Sequence, residues 1–221
     1  MSQAREARHG PVHASKRRGQ NDCPEVKLSK TLSYILRHGA AKEGLELRED
    51  GSILVNELQK YKNLKTATFE QIKHVVDTND KKRYALFEEK DKDGNNKWYI
   101  RATQGHSINI EKPKLIRLTA ETIPKEIIHG TTKDKIALIR EKGLSRMGRT
   151  HIHFASGLYG DRAVVSGMRA TSNAFIYIDI EKALQDGIEF YESENNVILS
   201  KGLENSGVIP ARYFGKIVMK D

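Results

Sequence analysis

Apolar residues recur with helical spacing near the start of the chain, after a polar stretch that ends at Pro24. Pro24 suits the first turn of a helix. The apolar positions that follow fall at i, i+4, i+7 and i+8: Leu28, Leu32, Ile35 and Leu36. This pattern predicts a helix, and Gly39 is predicted to be its C-cap.

Two further helices and a hairpin are predicted downstream. The segment VNELQKY predicts a short second helix, and Thr68 with Gln71 forms a capping-box pattern that opens a third. The segments RYALFEE and WYIRAT flank the turn-rich DKDGNNK, which is typical of a β-hairpin. Helices followed by a hairpin resemble a winged helix.

The second half alternates short apolar runs with one clear helix. The runs EIIHGT, THIHFAS, AFIYIDI, NNVILS and KIVM predict strands, and KDKIALIREKG predicts a helix capped by Gly143. The fold class predicted is α+β. We predict three parts: a disordered basic arm at 1–22, a helical part with a hairpin at 23–112, and a β-rich part at 113–221.

Charge changes the picture of possible partners. The chain has 221 residues, with 38 Lys and Arg against 29 Asp and Glu, a net charge of +9. Residues 1–22 hold five basic and two acidic residues, so the remainder is still basic. A basic folded body favours a polyanionic partner such as RNA, although a basic protein without such a partner has the same composition.

The cysteine content and the hydropathy of the chain indicate the cellular compartment in which the protein is expected. The single cysteine excludes an internal disulfide and a cysteine-based metal cluster, and it fits a reducing compartment. No apolar run approaches the ~18 residues of a membrane span, and the N-terminus lacks the apolar core of a signal peptide. We therefore expect a protein of the cytoplasm or nucleus, without membrane association.

Several cationic side chains lie at the ends of predicted elements. Arg37 and His38 end the first helix, Arg83 lies between the third helix and the hairpin, and Arg169 ends the segment SGMR. Each has an ordinary explanation, either the helix dipole or a solvated surface. If the guanidinium groups converge, however, they would suit a phosphate dianion, because each can donate two parallel hydrogen bonds.

Histidines form a second candidate group. His151 and His153 are two residues apart on a predicted strand and face the same side, and His129 lies on another strand. They could bind zinc or be structural, but there is no HExxH motif and no cysteine partner. The chain also lacks GxGxxG, Walker A and GxSxG motifs, which argues against a Rossmann dehydrogenase, a P-loop NTPase and an α/β-hydrolase.

Six segments in a common order closely resemble the RNA 2′-phosphotransferase family. They are LSKTLSYILRHGA, VDTNDKKRYAL, ATQGHS, IIHGT, RTHIHFASGL and VVSGMR. The resemblance implies a winged-helix-like RNA lobe followed by an ADP-ribosyltransferase-like lobe that holds NAD+ as co-substrate. It implies a catalytic set of Arg37, His38, Arg83 and Arg169. It places NAD+ at His129, Gly130, Thr131, His153, Ser166 and Gly167, and the RNA substrate at Lys81, Gln104 and His106, with no metal ligand.

The implied activity is removal of the splice-junction 2′-phosphate from ligated tRNA. The phosphate attacks the nicotinamide-bearing ribose of NAD+, and the resulting adduct is resolved to 2′-OH RNA, ADP-ribose 1″,2″-cyclic phosphate and nicotinamide. Protein-modifying enzymes of this fold use a glutamate late in the sheet, whereas NNVILS offers only apolar residues. That difference is consistent with a phosphate acceptor, which needs no base, and we expect a monomer.

Two other functions remain open at this point. One is a non-catalytic winged-helix RNA-binding protein, which would have no need for the segments HGT, HIH and SGMR together. The other is an ADP-ribosyltransferase that acts on terminal phosphates of nucleic acids. Release of nicotinamide would distinguish the first from an enzyme.

Overall fold

The computed structural model describes residues 22–158 and 166–220, and it contains helices and antiparallel sheets within these ranges. The predicted arm lies outside the described residues apart from Asp22. The α-helices are α1 (Pro24–Tyr34), α2 (Val55–Leu58), α3 (Phe69–Asp77), α4 (Ile136–Lys142) and α5 (Ile180–Gln185). The strands are β1 (Ile53–Leu54), β2 (Tyr84–Lys90), β3 (Asn96–Ala102), β4 (Leu115–Arg117), β5 (Ile128–Thr131), β6 (Leu144–Ser145), β7 (Ile152–Phe154), β8 (Ala174–Ile178), β9 (Tyr191–Ser193), β10 (Ile198–Ser200), β11 (Val208–Ile209) and β12 (Phe214–Met219).

The N-terminal half packs α1, α2 and α3 against a three-stranded sheet in the order β1-β3-β2. The predicted capping box opens α3, because the Thr68 hydroxyl accepts from the Gln71 amide and the Gln71 side chain accepts from the Thr68 amide. The predicted hairpin is also confirmed, with β2 and β3 paired from Tyr84 opposite Ala102 to Lys90 opposite Asn96. Sequence periodicity was sufficient for these elements.

The end of the first helix differs from the prediction. Gly39 is not its C-cap, because α1 passes at Tyr34 into a π-helical turn, Ile35–Gly39, and then into a 3₁₀ turn, Ala41–Glu43. Gly44, with φ of 71°, ends this segment in the left-handed conformation. Gly39 is instead required by packing, since a Cβ there would lie 2.6 Å from the Tyr34 ring. The prediction of a C-cap at Gly39 was wrong because the local sequence pattern does not show that the Tyr34 ring packs back against Gly39.

The C-terminal half consists of two larger antiparallel sheets, β4-β9-β10-β7 and β12-β8-β5, and the pair β11-β6. A bridge from Ile128 to Ala155 connects the larger sheets beside β7. The helix α5 was missed by the sequence analysis, although Asp179 caps it by accepting from the Lys182 amide at 3.1 Å. The predicted helix α4 and its Gly143 cap are present.

Each half has its own hydrophobic cluster. The cluster of the N-terminal half runs from Leu32 to Ala102, and that of the C-terminal half runs from Leu118 to Tyr213. Polar contacts connect the two halves. Gln104, which follows β3, contacts His153 of β7, and the β9–β10 turn contacts Arg101 of β3 and the Lys81 carbonyl before β2. None of the described helices has the length and apolar character to cross a membrane.

Candidate active site

Arg37 and His38 lie in the π-helical turn that follows α1. Such turns widen the backbone and often occur at functional sites. The side chain of Arg37 is half-buried, and its Nε and Nη2 atoms are buried without a hydrogen-bond partner among the residues that the structure describes. The pKa of Arg37 is lowered to about 10, mainly by burial, and the charges of Arg83 and Arg149 act in the same direction. A buried guanidinium with unused donors is a site for an anion.

The segment Gln104–Ser107 supports this turn from the other side. The Ser107 amide donates to the Arg37 carbonyl at 2.9 Å, and the Ser107 hydroxyl lies 2.9 Å from Nδ1 of His38. Gly105 has a φ of +88°, and a Cβ there would lie 3.4 Å from the Arg37 guanidinium. The glycine therefore allows the backbone to pass directly against Arg37.

His38 is the exposed member of this pair. Partial burial lowers its pKa below the ordinary value, and the charges of Arg37 and Arg149 lower it further. The ring is therefore neutral at neutral pH and can accept or pass on a proton.

Arg83 is held at the junction of α3 and β2. Its amide donates to the Asn79 side chain at 3.1 Å, and its carbonyl accepts from the Thr103 amide at 3.0 Å. The residue before it, Lys82, has a φ of 42°, which turns the chain sharply into the strand. The guanidinium is thereby positioned next to Arg37, whose pKa it lowers.

The β9–β10 turn of the C-terminal half forms hydrogen bonds to the N-terminal half next to the α3–β2 junction. The buried Asn195 side chain donates to the Lys81 carbonyl at 2.9 Å. Glu194 accepts two hydrogen bonds from the buried Arg101 guanidinium, at 2.6 and 3.1 Å. We call Glu194 and Asn195 the clasp, because they connect the C-terminal half to the chain that carries Arg83. The sequence analysis did not identify either residue.

His129, which is half-buried, and His153, which is buried, lie on the adjacent strands β5 and β7, and both rings are neutral at neutral pH. Nδ1 of His129 lies 2.9 Å from the His153 carbonyl, which can only accept, so Nδ1 carries the proton. Burial lowers its pKa, although this hydrogen bond opposes the effect. Nε2 of His129 is then an acceptor without a described partner in the structure. It can receive a hydrogen bond from a hydroxyl group, such as that of a ribose.

His153 is oriented by contacts on both ring nitrogens. Its Nδ1 lies 3.0 Å from the His151 carbonyl and must donate, and burial lowers its pKa to about 3, so Nε2 is an acceptor. The Gln104 amide atom 2.8 Å from Nε2 is placed as oxygen. Since two acceptors cannot bond, we assign the amide NH2 group to this position. Gln104 thus positions His153 across the junction between the two halves.

A tight turn at Ser166–Met168 covers β5. A Cβ on Gly130 would lie 2.5 Å from Met168 Cγ, and one on Gly167, whose φ is +94°, would lie 2.6 Å from the Phe154 carbonyl. Both glycines are therefore required for the turn to pack on the strands. Ser166 is buried in this turn, and Thr131, at the end of β5, is half-buried.

Arg149 is the cation that the sequence analysis missed. It precedes β7 in the segment RTHIHF, and it lowers the pKa of four residues in both halves of the molecule: Arg37, His38, His129 and His153. Its own pKa is lowered by partial burial and by Arg169. Both Arg149 and Arg169 are exposed, but Arg149 acts on residues of both halves, whereas Arg169 acts on Arg149 and His129 at the edge of the cluster. The signal that could have identified Arg149 in the sequence was its position at the start of the motif RTHIHF.

His106 and His151 are also buried at the junction. Burial lowers the pKa of each to about 4, and the Nε2 atom of each lacks a hydrogen-bond partner. The Thr150 amide donates to the His106 carbonyl at 2.9 Å, which ties the two halves together. Among the described residues, no group of three or more His, Cys, Asp or Glu is arranged to hold a metal ion.

The cluster is strongly cationic. In the described part of the chain, the charges that act on the pKa of Arg37, His38, His129 and Arg149 include no carboxylate. Unpaired guanidinium groups next to neutral imidazoles form a site for a phosphate and a sugar. The structure brings together Arg37, His38 and Arg83 from one half with His129 and His153 from the other.

A family model of known proteins agrees with this chemistry. Residues 23–202 match the model described as "RNA 2'-phosphotransferase, Tpt1 / KptA family". The chain belongs to this RNA 2′-phosphotransferase family.

Individual relatives are similar over most of the chain. A putative tRNA 2′-phosphotransferase from Schizosaccharomyces pombe is 44% identical over 205 residues, which is 92% of this chain and 53% of the relative. A tRNA 2′-phosphotransferase 1 from Danio rerio is 41% identical over 87% of this chain and 84% of the relative. The tRNA 2′-phosphotransferase of Saccharomyces cerevisiae is 38% identical over 91% of this chain and 86% of the relative. The chain thus spans about half of the S. pombe relative but most of the other two.

Proposed function

We propose that the chain is an NAD-dependent tRNA 2′-phosphotransferase, which transfers an internal 2′-phosphate of tRNA to NAD+. The observation that carries this proposal is the cationic cluster at the junction of the two halves. Arg37, Arg83 and Arg149 approach one another without a carboxylate among the described residues to neutralise them. The family membership agrees with a phosphate as the group that binds there.

The two halves then have separate tasks. We propose that residues 23–112 form a winged-helix-like RNA lobe, since three helices precede the β2–β3 hairpin, and that residues 113–221 form an ADP-ribosyltransferase-like lobe of antiparallel sheets. Lys81 lies beside Arg83 and is proposed to contact RNA. Gln104 and His106 are buried at the junction, so their proposed contribution to RNA binding is to position the groups around them.

The C-terminal half has groups that fit NAD+ as co-substrate. The Nε2 acceptor of His129 suits a ribose hydroxyl, Thr131 lies two residues further along the same strand, and Ser166 belongs to the turn that packs on that strand through Met168. Gly130 and Gly167 keep this turn close to β5 and β7. His153, held by Gln104, is proposed to orient the same ribose. Arg169, which acts on Arg149 and His129 at the edge of the cluster, is proposed to be a catalytic residue, as the resemblance implies, by stabilising charge on the transferring phosphate.

In the first proposed step, an oxygen of the RNA 2′-phosphate attacks the ribose carbon that bears nicotinamide. The carbon–nitrogen bond breaks, and nicotinamide leaves as a neutral molecule. The dianion is already a nucleophile, so this step needs no general base. His129 and His153 contribute by holding the ribose in line with the phosphate.

In the second step, the 2″-hydroxyl of the ribose attacks the phosphorus, and the bond from phosphorus to the RNA 2′-oxygen breaks. The products are 2′-OH RNA and a cyclic phosphate of ADP-ribose. Arg37, Arg83 and Arg149 stabilise charge on the phosphoryl oxygens. His38, neutral and exposed, is the group that moves a proton between the attacking hydroxyl and the leaving oxygen.

The test is incubation with a short RNA that bears one internal 2′-phosphate, with and without NAD+. We expect dephosphorylated RNA, nicotinamide and a cyclic-phosphate derivative of ADP-ribose only when NAD+ is present. Inorganic phosphate as the main product would exclude the proposed transfer. RNA binding without any nicotinamide release would favour a non-catalytic RNA-binding protein.

The division of roles has its own test. Replacing His38 or Arg83 with Ala should slow the second step more than the first, so that an RNA carrying the ADP-ribosylated 2′-phosphate accumulates. Replacing His129 with Ala should slow the first step and leave no adduct. Loss of one charge donor costs about 10²-fold or more in the step that it serves. Unmodified RNA and intact NAD+ in the His38 and Arg83 variants would show that this division is wrong.

A further inference from the structure

An open groove on the N-terminal half runs directly into the candidate phosphate site. It lies between α1 and the C-terminal end of α3 and has a volume of about 610 Å³. Ser33, Tyr34 and Asn79 line its middle, and His38 with Arg83 lines one end. A molecule whose phosphate lies at His38 and Arg83 would therefore extend along this groove.

Tyr34 presents a rigid aromatic surface in the groove. Its ring covers the backbone of Gly39, so closely that a Cβ there would lie 2.6 Å from ring carbons. Its hydroxyl lies 3.5 Å from a Glu43 carboxylate oxygen. The residue is nevertheless 40% exposed. One side of the ring is thus supported by backbone, and the remaining surface is available to a ligand.

The rest of the groove is lined by neutral hydrogen-bonding groups. Ser29 and Ser33 carry hydroxyls that contact the Tyr84 hydroxyl at 3.1 and 2.6 Å, and Thr78 and Asn79, directly after α3, also line the groove. Of the charged groups at the far end, Lys30 forms an ion pair with Asp22 at 2.6 Å, and Glu25 lies 3.4 Å from the His74 ring. The end of the groove that can bind a phosphate is thus the end with the Arg83 guanidinium and the neutral His38 ring, which suits one phosphate followed by an uncharged base and sugar.

We propose that this groove is a nucleoside site in which Tyr34 stacks against an unpaired nucleobase of the RNA substrate. The inference rests on the proposed function, because it takes the 2′-phosphate to lie at His38 and Arg83. Stacking on an aromatic side chain is sequence-tolerant, since every base has a π-face. The site would therefore position the RNA strand without selecting its sequence.

The test is a thermodynamic cycle between Tyr34 and the RNA. The substrates are a 2′-phosphorylated RNA and three versions with an abasic position, at the phosphorylated nucleotide, at its 5′ neighbour or at its 3′ neighbour. Each is assayed by kcat and KM with the wild-type chain, with Tyr34→Leu and with Tyr34→Trp. Leucine retains apolar cover for Gly39, and tryptophan retains a stacking surface. Ile116→Ala, which trims an exposed side chain of the other half, is the matched control.

We expect Tyr34→Leu to raise KM for the intact RNA about tenfold, within the ~1–3 kcal/mol range of stacking, with little change in kcat. Tyr34→Trp should retain the wild-type KM. At one abasic position the loss caused by Tyr34→Leu should disappear, because the stacked base is already gone. Ile116→Ala should behave as wild type with every substrate.

Two outcomes would overturn the proposal. Equal losses with Tyr34→Leu on the intact RNA and on all three abasic RNAs would mean that the ring serves only to support the turn at Gly39. Wild-type kinetics for Tyr34→Leu would mean that no base binds there. If Tyr34→Leu does not fold, Tyr34→Trp replaces it. In that case, losses of Tyr34→Trp on the abasic RNAs that differ from those of wild type at every position would overturn the proposal. Failure of the proposed function is distinguishable, because the wild-type chain would then not turn over the intact RNA.

Discussion

Removal of the Asn195 side chain should impair catalysis more than its effect on stability predicts. Asn195 is 3% exposed, donates to the Lys81 carbonyl at 2.9 Å and accepts from the Ser193 hydroxyl at 2.9 Å. Each hydrogen bond contributes about 1 kcal/mol, so Asn195→Ala should lower the free energy of unfolding by about 2 kcal/mol. For a chain of this size that is a decrease in Tm of about 4–8 °C.

The effect on turnover should be larger because Arg83 follows Lys81 by two residues. Without the clasp, the chain that carries Arg83 is no longer held against the C-terminal half, and a displacement of about 1 Å can cost on the order of 10²-fold in rate. We expect kcat to fall more than tenfold at 25 °C, with a smaller change in KM for RNA. Asn195→Asp should show the same loss, because a carboxylate cannot donate to the Lys81 carbonyl.

Thr68→Ala is the matched control. Thr68 caps the far end of α3, and loss of a cap of this type costs about 1 kcal/mol. Its Tm should decrease by about 2–4 °C while turnover at 25 °C stays within twofold of wild type. If Asn195→Ala lowers Tm as expected but retains wild-type kcat, the clasp stabilises the chain without positioning Arg83, and the reasoning is refuted.

Three other predictions follow from the site. Arg149→Ala should lower the rate of turnover about 10²-fold or more. If this variant matches wild type in a single-turnover assay, Arg149 does not contribute to the reaction. Gly130→Ala should displace the turn around Met168, because the added Cβ would lie 2.5 Å from Met168 Cγ. We expect a higher KM for NAD+ and a lower Tm, and unchanged values of both would contradict this packing. Stability should fall with acidity between pH ~6.5 and ~3, because His153 binds a proton in the unfolded state but remains neutral when folded until about pH 3. One such group changes the free energy of unfolding by at most about 1.4 kcal/mol per pH unit. The urea midpoint of His153→Gln should therefore vary less steeply with pH than that of wild type. An identical pH dependence would contradict the burial of a neutral His153 ring.

Local sequence determined four of the five α-helices in the described part of the chain, the hairpin and the family. The capping box of Thr68 and Gln71, the alternation in β2 and β3, and the Gly143 cap are interactions between residues close in the chain, so their patterns are visible without a structure. The six motifs were sufficient to indicate a phosphate-transfer enzyme, and the family match agrees. Residue types with a fixed chemistry, such as guanidinium and imidazole, remain recognisable wherever the chain places them.

Only the tertiary structure decided which cations meet. Arg149 and Arg169 look equivalent in the sequence, but Arg149 alone acts on residues of both halves, because the strand β7 carries it to the junction. The clasp joins Asn195 to Lys81 across 114 positions, and no periodicity reports a contact of that range. The end of the first helix was also decided by packing, since the Tyr34 ring folds back on Gly39. Such contacts depend on how two independently packed halves meet, and that information is spread over the whole chain rather than carried by a local pattern.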